Sequence, residues 1–313
     1  MLKTSLLAKN AYQPVGNHHL SHNPLIKMLK GNLYYLRSLC NMEYEIKPVS
    51  KLSLGLKELW EFKELFYFFT WRDIKVKYKQ TFLGVIWAIL QPFMLMVVFT
   101  LFFGEALHVQ TDSNIPYPIF VYSGLLLWNI FSSGLTNASN SMVSNAGIIK
   151  KIYFPRLIIP FSSILVALFD FLMALLVYIG LLLFYKHPVE IKILLFLPIG
   201  LLITIFTTFG IGTLLAALNV KYRDFRYVIP FLIQILFFLT PVLYPVSILK
   251  SSWVQNVLMF NPMAGAIELL RASVVHAPLN IQLVAISAIT SMVLFIAGLF
   301  YFRKTEYYFA DLA

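Results

Sequence analysis

The chain carries six apolar runs, each near the length needed to cross a bilayer, and no other feature restricts its fold so severely. Crossing ~30 Å of hydrocarbon takes about 20 apolar residues in a helix. The runs lie at residues 82–103, 118–138, 157–178, 193–218, 228–243 and 281–302. Backbone in lipid must satisfy its own hydrogen bonds, so each run is expected to be helical. The fold class is therefore an all-α polytopic membrane protein with six transmembrane helices. Hydrophobic residues make up 59% of the chain and charged residues 12%. That balance leaves too little polar surface for a water-soluble domain of this length. Pro241 and Pro245 cut the fifth run short at its far end, and Pro92 predicts a kink in the first.

A formal net charge of +11 would suit a nucleic-acid binder, but the cations are not spread over a soluble surface. Of the 25 lysines and arginines, 13 precede the first apolar run, where they suit the anionic cytoplasmic leaflet rather than a duplex. With the N-terminus inside, 21 cations fall on inner segments and four on outer ones, and residues 104–117 carry none. The positive-inside rule then places both ends in the cytoplasm. Residues 1–10 lack the apolar core of a cleavable signal, so insertion is expected to be directed by the first span. Cys40 is the sole cysteine, which excludes an intramolecular disulfide and a cysteine metal cluster.

Residues 1–50 read as a polar cytoplasmic extension, flexible in character, with His18, His19 and His22 as solvent-exposed histidines. Residues 51–81 read as an interfacial amphipathic helix followed by a basic lead-in. On a helical wheel Leu56, Leu59, Trp60, Phe66 and Tyr67 fall on one side, opposite Lys57, Glu58, Glu61 and Glu64. Arg72, Lys75, Lys77 and Lys79 then place four cations in nine residues, too many for hydrocarbon. Residues 246–280 are too polar to span and too apolar for a solvated linker, and predict short re-entrant helices. Asn261-Pro262 is a helix-start signal, with Asn as cap and Pro at the first position. Glu268 and Arg271 stand at i and i+3 on that helix, in reach of a local ion pair or of a gating role.

Catalytic and nucleotide-binding signatures are missing: no phosphate-binding loop, no nucleophile elbow, no zinc motif and no paired cysteines. The chain is expected not to be an enzyme and to hold no cofactor or metal. Asp170 is the notable ionisable group within the spans. An intramembrane carboxylate is a functional hypothesis by default, as the wall of a polar path or as a proton-coupling group.

Several motifs occur together in order. Lys75-Val76-Lys77-Tyr78-Lys79-Gln80-Thr81-Phe82-Leu83-Gly84 runs into Trp87-Ala88-Ile89-Leu90-Gln91-Pro92. Tyr153-Phe154-Pro155-Arg156-Leu157, Lys221-Tyr222-Arg223-Asp224-Phe225, Leu239-Thr240-Pro241-Val242-Leu243-Tyr244-Pro245 and Asn261-Pro262-Met263 follow. From residue 51 onward the chain resembles the transmembrane permease subunit of ABC type-2 exporters, in particular those of O-antigen, capsular and teichoic-acid polysaccharides. The resemblance implies a homodimer in the bacterial inner membrane. Two separate ABC ATPase subunits would carry ATP and Mg, and a lipid-linked polysaccharide would be the cargo. It also implies roles by position: residues 56–70 as the interfacial helix, residues 145–156 as the ATPase-coupling segment, and residues 241–275 as periplasmic gate helices.

On that basis Trp87, Gln91 and Asp170 are candidates for the translocation path. Arg72, Lys75, Lys77 and Lys79 are candidates for the lipid-carrier headgroup or the interface. Ile149, Lys150, Lys151 and Arg156 are candidates for ATPase coupling. Pro241, Tyr244, Pro245, Asn261, Pro262, Glu268 and Arg271 are candidates for the gate. A drug- or lipid-exporting permease of the same type and an ion-coupled carrier are the alternative readings.

Overall fold

The computed structural model describes residues 60–79, 84–109, 115–222, 224–248, 251–274, 279–306 and 309. The expected extension at residues 1–50 and the first part of the interfacial helix lie outside them. The described residues form helices α1 (Lys63–Lys79), α2 (Ile86–Phe99), α3 (Tyr117–Ser144), α4 (Ala146–Ile149) and α5 (Ile158–Phe184). They continue through α6 (Ile193–Lys221), α7 (Phe225–Leu239), α8 (Ser252–Met259), α9 (Pro262–Ala272) and α10 (Ile281–Glu306). Helical winding in α2 continues through Pro92 and widens into a π-helix over Thr100–Ala106. Among the described residues, five helices are long and apolar enough to cross a membrane: α2 with its π extension, α3, α5, α6 and α10. The all-α polytopic membrane architecture expected from the apolar runs is the one observed.

The fifth run differs. It forms the 15-residue α7, which starts and stops earlier than residues 228–243. The stop has a local cause: Thr240 is extended, at φ −92° and ψ 139°, because the ring of Pro241 disfavours helical geometry in the residue before it.

The buried centre is α3, with 19 of its 28 residues buried against α5, α6 and the shorter helices. By contrast α2 buries only Pro92 and Met96 of its 14 residues. Small residues let the crossings come close, as expected where lipid offers no hydrophobic drive. A Cβ on Gly298 of α10 would meet the carbonyl oxygen of Gly210 on α6, and one on Gly210 would lie 2.5 Å from the Leu294 carbonyl. Beside this contact, Ser291 donates to the Ile203 carbonyl at 3.0 Å and sits 3.0 Å from the Thr207 hydroxyl.

The structure adds two details to the interfacial helix. It runs unbroken through the basic lead-in as far as Lys79. Its inward face is Phe62, Leu65, Phe66 and Phe69, whereas Trp60 and Tyr67 are 75% and 67% exposed. The physical reason is the partner surface. Phe66 packs edge-on to Phe161 of α5, and Phe69 lies 5.6 Å from the ring of Phe154. The helical wheel scored Trp60 and Tyr67 as apolar, but amphipathic rings of this kind are also at home in the headgroup layer.

Candidate translocation site

A cavity of about 680 Å³ is walled by α2, α3 and α5, with the end of α1 at its edge. Its polar lining comes mainly from one stripe of α3: Asn129, Ser132, Ser133, Thr136 and Asn137. The spacing of three to four residues puts these side chains on one helical face. Several are already tied to their own helix: Ser133 donates to the Asn129 carbonyl at 2.6 Å and Thr136 to the Ser132 carbonyl at 2.7 Å. Such back-bonding lets a hydroxyl sit in an apolar wall while its oxygen still accepts from a ligand. The stripe was not singled out in the sequence. Its signal is the run Ser132-Ser133 to Asn140 inside a span, where the alternation of apolar and small polar residues follows a helical period.

Trp87 and Gln91 line this cavity together from one face of α2, one turn apart, and Asp170 lines it from α5. Asp170 is not alone. Lys77 of α1 bonds one carboxylate oxygen at 2.5 Å, and the Tyr78 hydroxyl donates to the other. Burial first, and the hydrogen bond to Asp170 second, hold the Tyr78 phenol above the usual tyrosine range, so it stays a donor. Residues read separately in the sequence, one for the path and one for the interface, are thus a single cluster.

The other cations of the lead-in do not join it. Arg72 bonds Asp73 at 2.6 Å and donates to Asn145 Oδ1 at 2.8 Å, which ties α1 to the start of α4. Lys75 lies 5.2 Å from the ring centroid of Trp71, and Lys79 is exposed. The four are spread along the helix and form no shared anion site in this conformation.

The expected coupling segment is a single helical turn, α4, followed by a bend through Lys150 and Lys151. Ile149 is buried, while Lys150, Lys151, Ile152 and Tyr153 are exposed. Arg156 turns the other way. Its guanidinium donates to the Glu306 carbonyl, and its backbone N–H donates to Glu306 Oε1 at 3.3 Å, which joins the start of α5 to the end of α10.

At the opposite end, α8 and α9 occupy the region expected to hold short helices. Asn261 caps α9, accepting from the Met263 N–H at 3.0 Å, and its amide donates to Thr240 at 2.9 Å. Pro262 follows at the first helical position. Arg271 is 5% exposed, with a role the i, i+3 spacing to Glu268 did not announce. Its guanidinium donates to the carbonyls of Pro241 and Val242, each at 2.6 Å, and stacks 3.6 Å over the Phe120 ring. Gly124 makes this possible: a Cβ there would come within 2.9 Å of the guanidinium. Tyr117 adds a bond to the Leu243 carbonyl at 2.8 Å, and Tyr244 donates to the Phe238 carbonyl at 3.1 Å. Pro241, Pro245 and Pro262 are buried, and Glu268 is half-buried.

The family model of the ABC-2 type transporter matches residues 64–275, from α1 to the end of α9. The chain belongs to this family. Similar members include an O-antigen export system permease protein of Klebsiella pneumoniae, 32% identical over 243 residues, which are 77% of this chain and 92% of that one. The O-antigen export system permease protein of Myxococcus xanthus is 29% identical over 257 residues, 80% and 97% of the two chains. The polysialic acid transport protein of Escherichia coli is 29% identical over 242 residues, 75% and 91%. In this ABC-2 type permease the matched region contains the whole cavity, the α4 turn and the α8–α9 pair.

Proposed function

We propose that the chain is the membrane-spanning subunit of an ATP-driven exporter. Its cargo is a lipid-linked polysaccharide, such as O-antigen or capsule, carried across the cytoplasmic membrane. The observation that carries this reading is the likeness to O-antigen export permeases over more than nine-tenths of the length of each, at 29–32% identity. The cavity supports it chemically. Amides and hydroxyls exchange hydrogen bonds with sugar hydroxyls, and Trp87 offers a flat apolar face to the C–H side of a pyranose ring. The polar cluster at Lys77, Tyr78 and Asp170 lies at the edge of this path.

In this reading two copies of the chain pair in the membrane and two separate ATPase subunits dock from the cytoplasm. The exposed turn at Lys150 and Lys151 is the docking element, with Ile149 and Arg156 anchoring it to the helices behind. Arg72, Lys75 and Lys79 stand at the headgroup layer, with Lys77 turned from the same helix to Asp170 at the cavity edge, and α8 and α9 form the outer gate with Pro241–Pro245 as its hinge. The sixth crossing is α7, and both chain ends are cytoplasmic. Deleting the gene in its own bacterium tests the cargo. Polymer is expected to accumulate inside the cytoplasmic membrane and to return to the surface when the chain is re-expressed. Undiminished surface polymer after deletion would remove this function.

A further inference from the structure

The cavity has a property that an export role alone does not supply: its charges cancel. Among the described residues that line it, Lys77 and Asp170 are the only ionised side chains, and they are bonded to each other. Lys75 and Lys79 stand on the same helix but do not line it. The rest of the polar lining is neutral amide and hydroxyl, and Tyr78 remains a donor, already turned to Asp170.

We infer that Asp170 is a specificity determinant which neutralises Lys77, so that the cavity takes uncharged glycan segments and discriminates against polyanionic ones. This rests on the polysaccharide reading above and names the class of polymer. A neutral sugar gives up hydrogen bonds to water and regains them from the Asn, Gln, Ser and Thr lining at little net cost. A carboxylate-bearing sugar also needs a cation, and the described wall offers a single one, already paired. The one lining cation is engaged. Lys77 is 40% exposed and Asp170 17%, so to win the ammonium a carboxylate of the cargo must displace Asp170 and leave that less exposed charge unpaired. Trading one carboxylate for another gains nothing.

The test uses the full chain in lipid nanodiscs and two probes of matched length, a neutral glucan oligosaccharide and an oligosialic acid, with binding read from Trp fluorescence. Wild type is expected to bind the neutral probe at least about tenfold more tightly. Asp170→Asn keeps an oxygen to accept from Tyr78 but unmasks Lys77, and should move the ratio toward the anionic probe by about tenfold, in a salt-sensitive manner. Adding Lys77→Gln to that variant should return the ratio to the wild-type value, and Asp170→Glu should keep it. A purely structural role would weaken both probes together and would not be rescued by the second substitution. Equal or tighter binding of oligosialic acid by wild type, or an unmoved ratio in Asp170→Asn, overturns the inference and leaves the glycan reading standing. Binding of neither probe by wild type overturns the glycan reading itself.

Discussion

At the scale of single residues, Arg271 makes the largest set of side-chain contacts among the described residues at the α9 end of the molecule. Arg271 satisfies two carbonyls freed where α7 breaks, and it does so from inside the protein, where no water can replace it. Replacing it by Met fills similar space but orphans both acceptors, at about 1–3 kcal/mol each. Arg271→Met is expected to lower the melting temperature in detergent clearly. Arg271→Lys should recover only part of the loss, because an ammonium lacks the fork that spans two acceptors. Melting of the Met variant at the wild-type temperature would show that the carbonyls find other donors. The same geometry makes Gly124→Ala costly, since the added Cβ would lie 2.9 Å from both the guanidinium and the Val242 carbonyl. Gly147→Ala meets nothing within 4 Å and serves as the tolerated comparison. None of this was legible in the sequence. The spacing from Glu268 to Arg271 reports only a local neighbour, whereas the partners of Arg271 lie about 30 and 150 residues away.

At the scale of elements, legibility followed length. The four long apolar runs that become α3, α5, α6 and α10 announce themselves, because hydropathy over 20 residues is a property of the segment alone. α1 is only half legible, since its buried face depends on Phe154 and Phe161, which a helical wheel cannot contain. The cavity was legible in part: Trp87, Gln91 and Asp170 stood out as polar or amphipathic groups in apolar runs, while the α3 stripe of small residues did not. Two outcomes are expected for these elements. Truncating Phe69, 2% exposed, should cost about 3 kcal/mol and loosen α1 from α5. Hydrogen exchange should then rise along α1 and not along α5, and unchanged exchange in α1 would mean that Arg72 and Lys77 hold the helix by themselves. Reversing charge at the α4 turn, as Lys150→Glu with Lys151→Glu, should reduce co-purification of the ATPase subunit several-fold without lowering the yield of the permease. Full recovery of the ATPase would place the docking surface elsewhere.

At the scale of the whole molecule, the fate of α7 decides the topology, and parity settles what to expect. Arg156 precedes α5 and Glu306 ends α10, yet the two residues are bonded, so both stand on one side of the membrane. Between them α5, α6 and α10 are each long enough to cross, which is an odd number, so the proposed six-crossing topology puts one further crossing in this stretch. A second pair of contacts locates it. Asn219 near the end of α6 donates to the Ser139 carbonyl near the end of α3, whereas Ser273 after α9 accepts from the Glu190 N–H, between α5 and α6. With α6 crossing the bilayer, these contacts support the proposed change of side between residues 219 and 273, where α7 is the apolar helix. Its 15 residues cover about 22 Å at 1.5 Å per residue, short of ~30 Å of hydrocarbon. The remainder falls to Thr240, Pro241, Val242 and Leu243, which are all buried, with carbonyls taken up by Arg271 and Tyr117. Irregular backbone at membrane depth is allowed under that condition. In a Cys40→Ser background, Tyr227→Cys and Trp253→Cys place exposed thiols at the two ends of this segment. A membrane-impermeant maleimide is expected to label Trp253→Cys in intact spheroplasts and Tyr227→Cys only after permeabilisation. Labelling of both from the same side would mean that α7 folds back, and with it the count of six crossings and the shared location of the chain ends would fall.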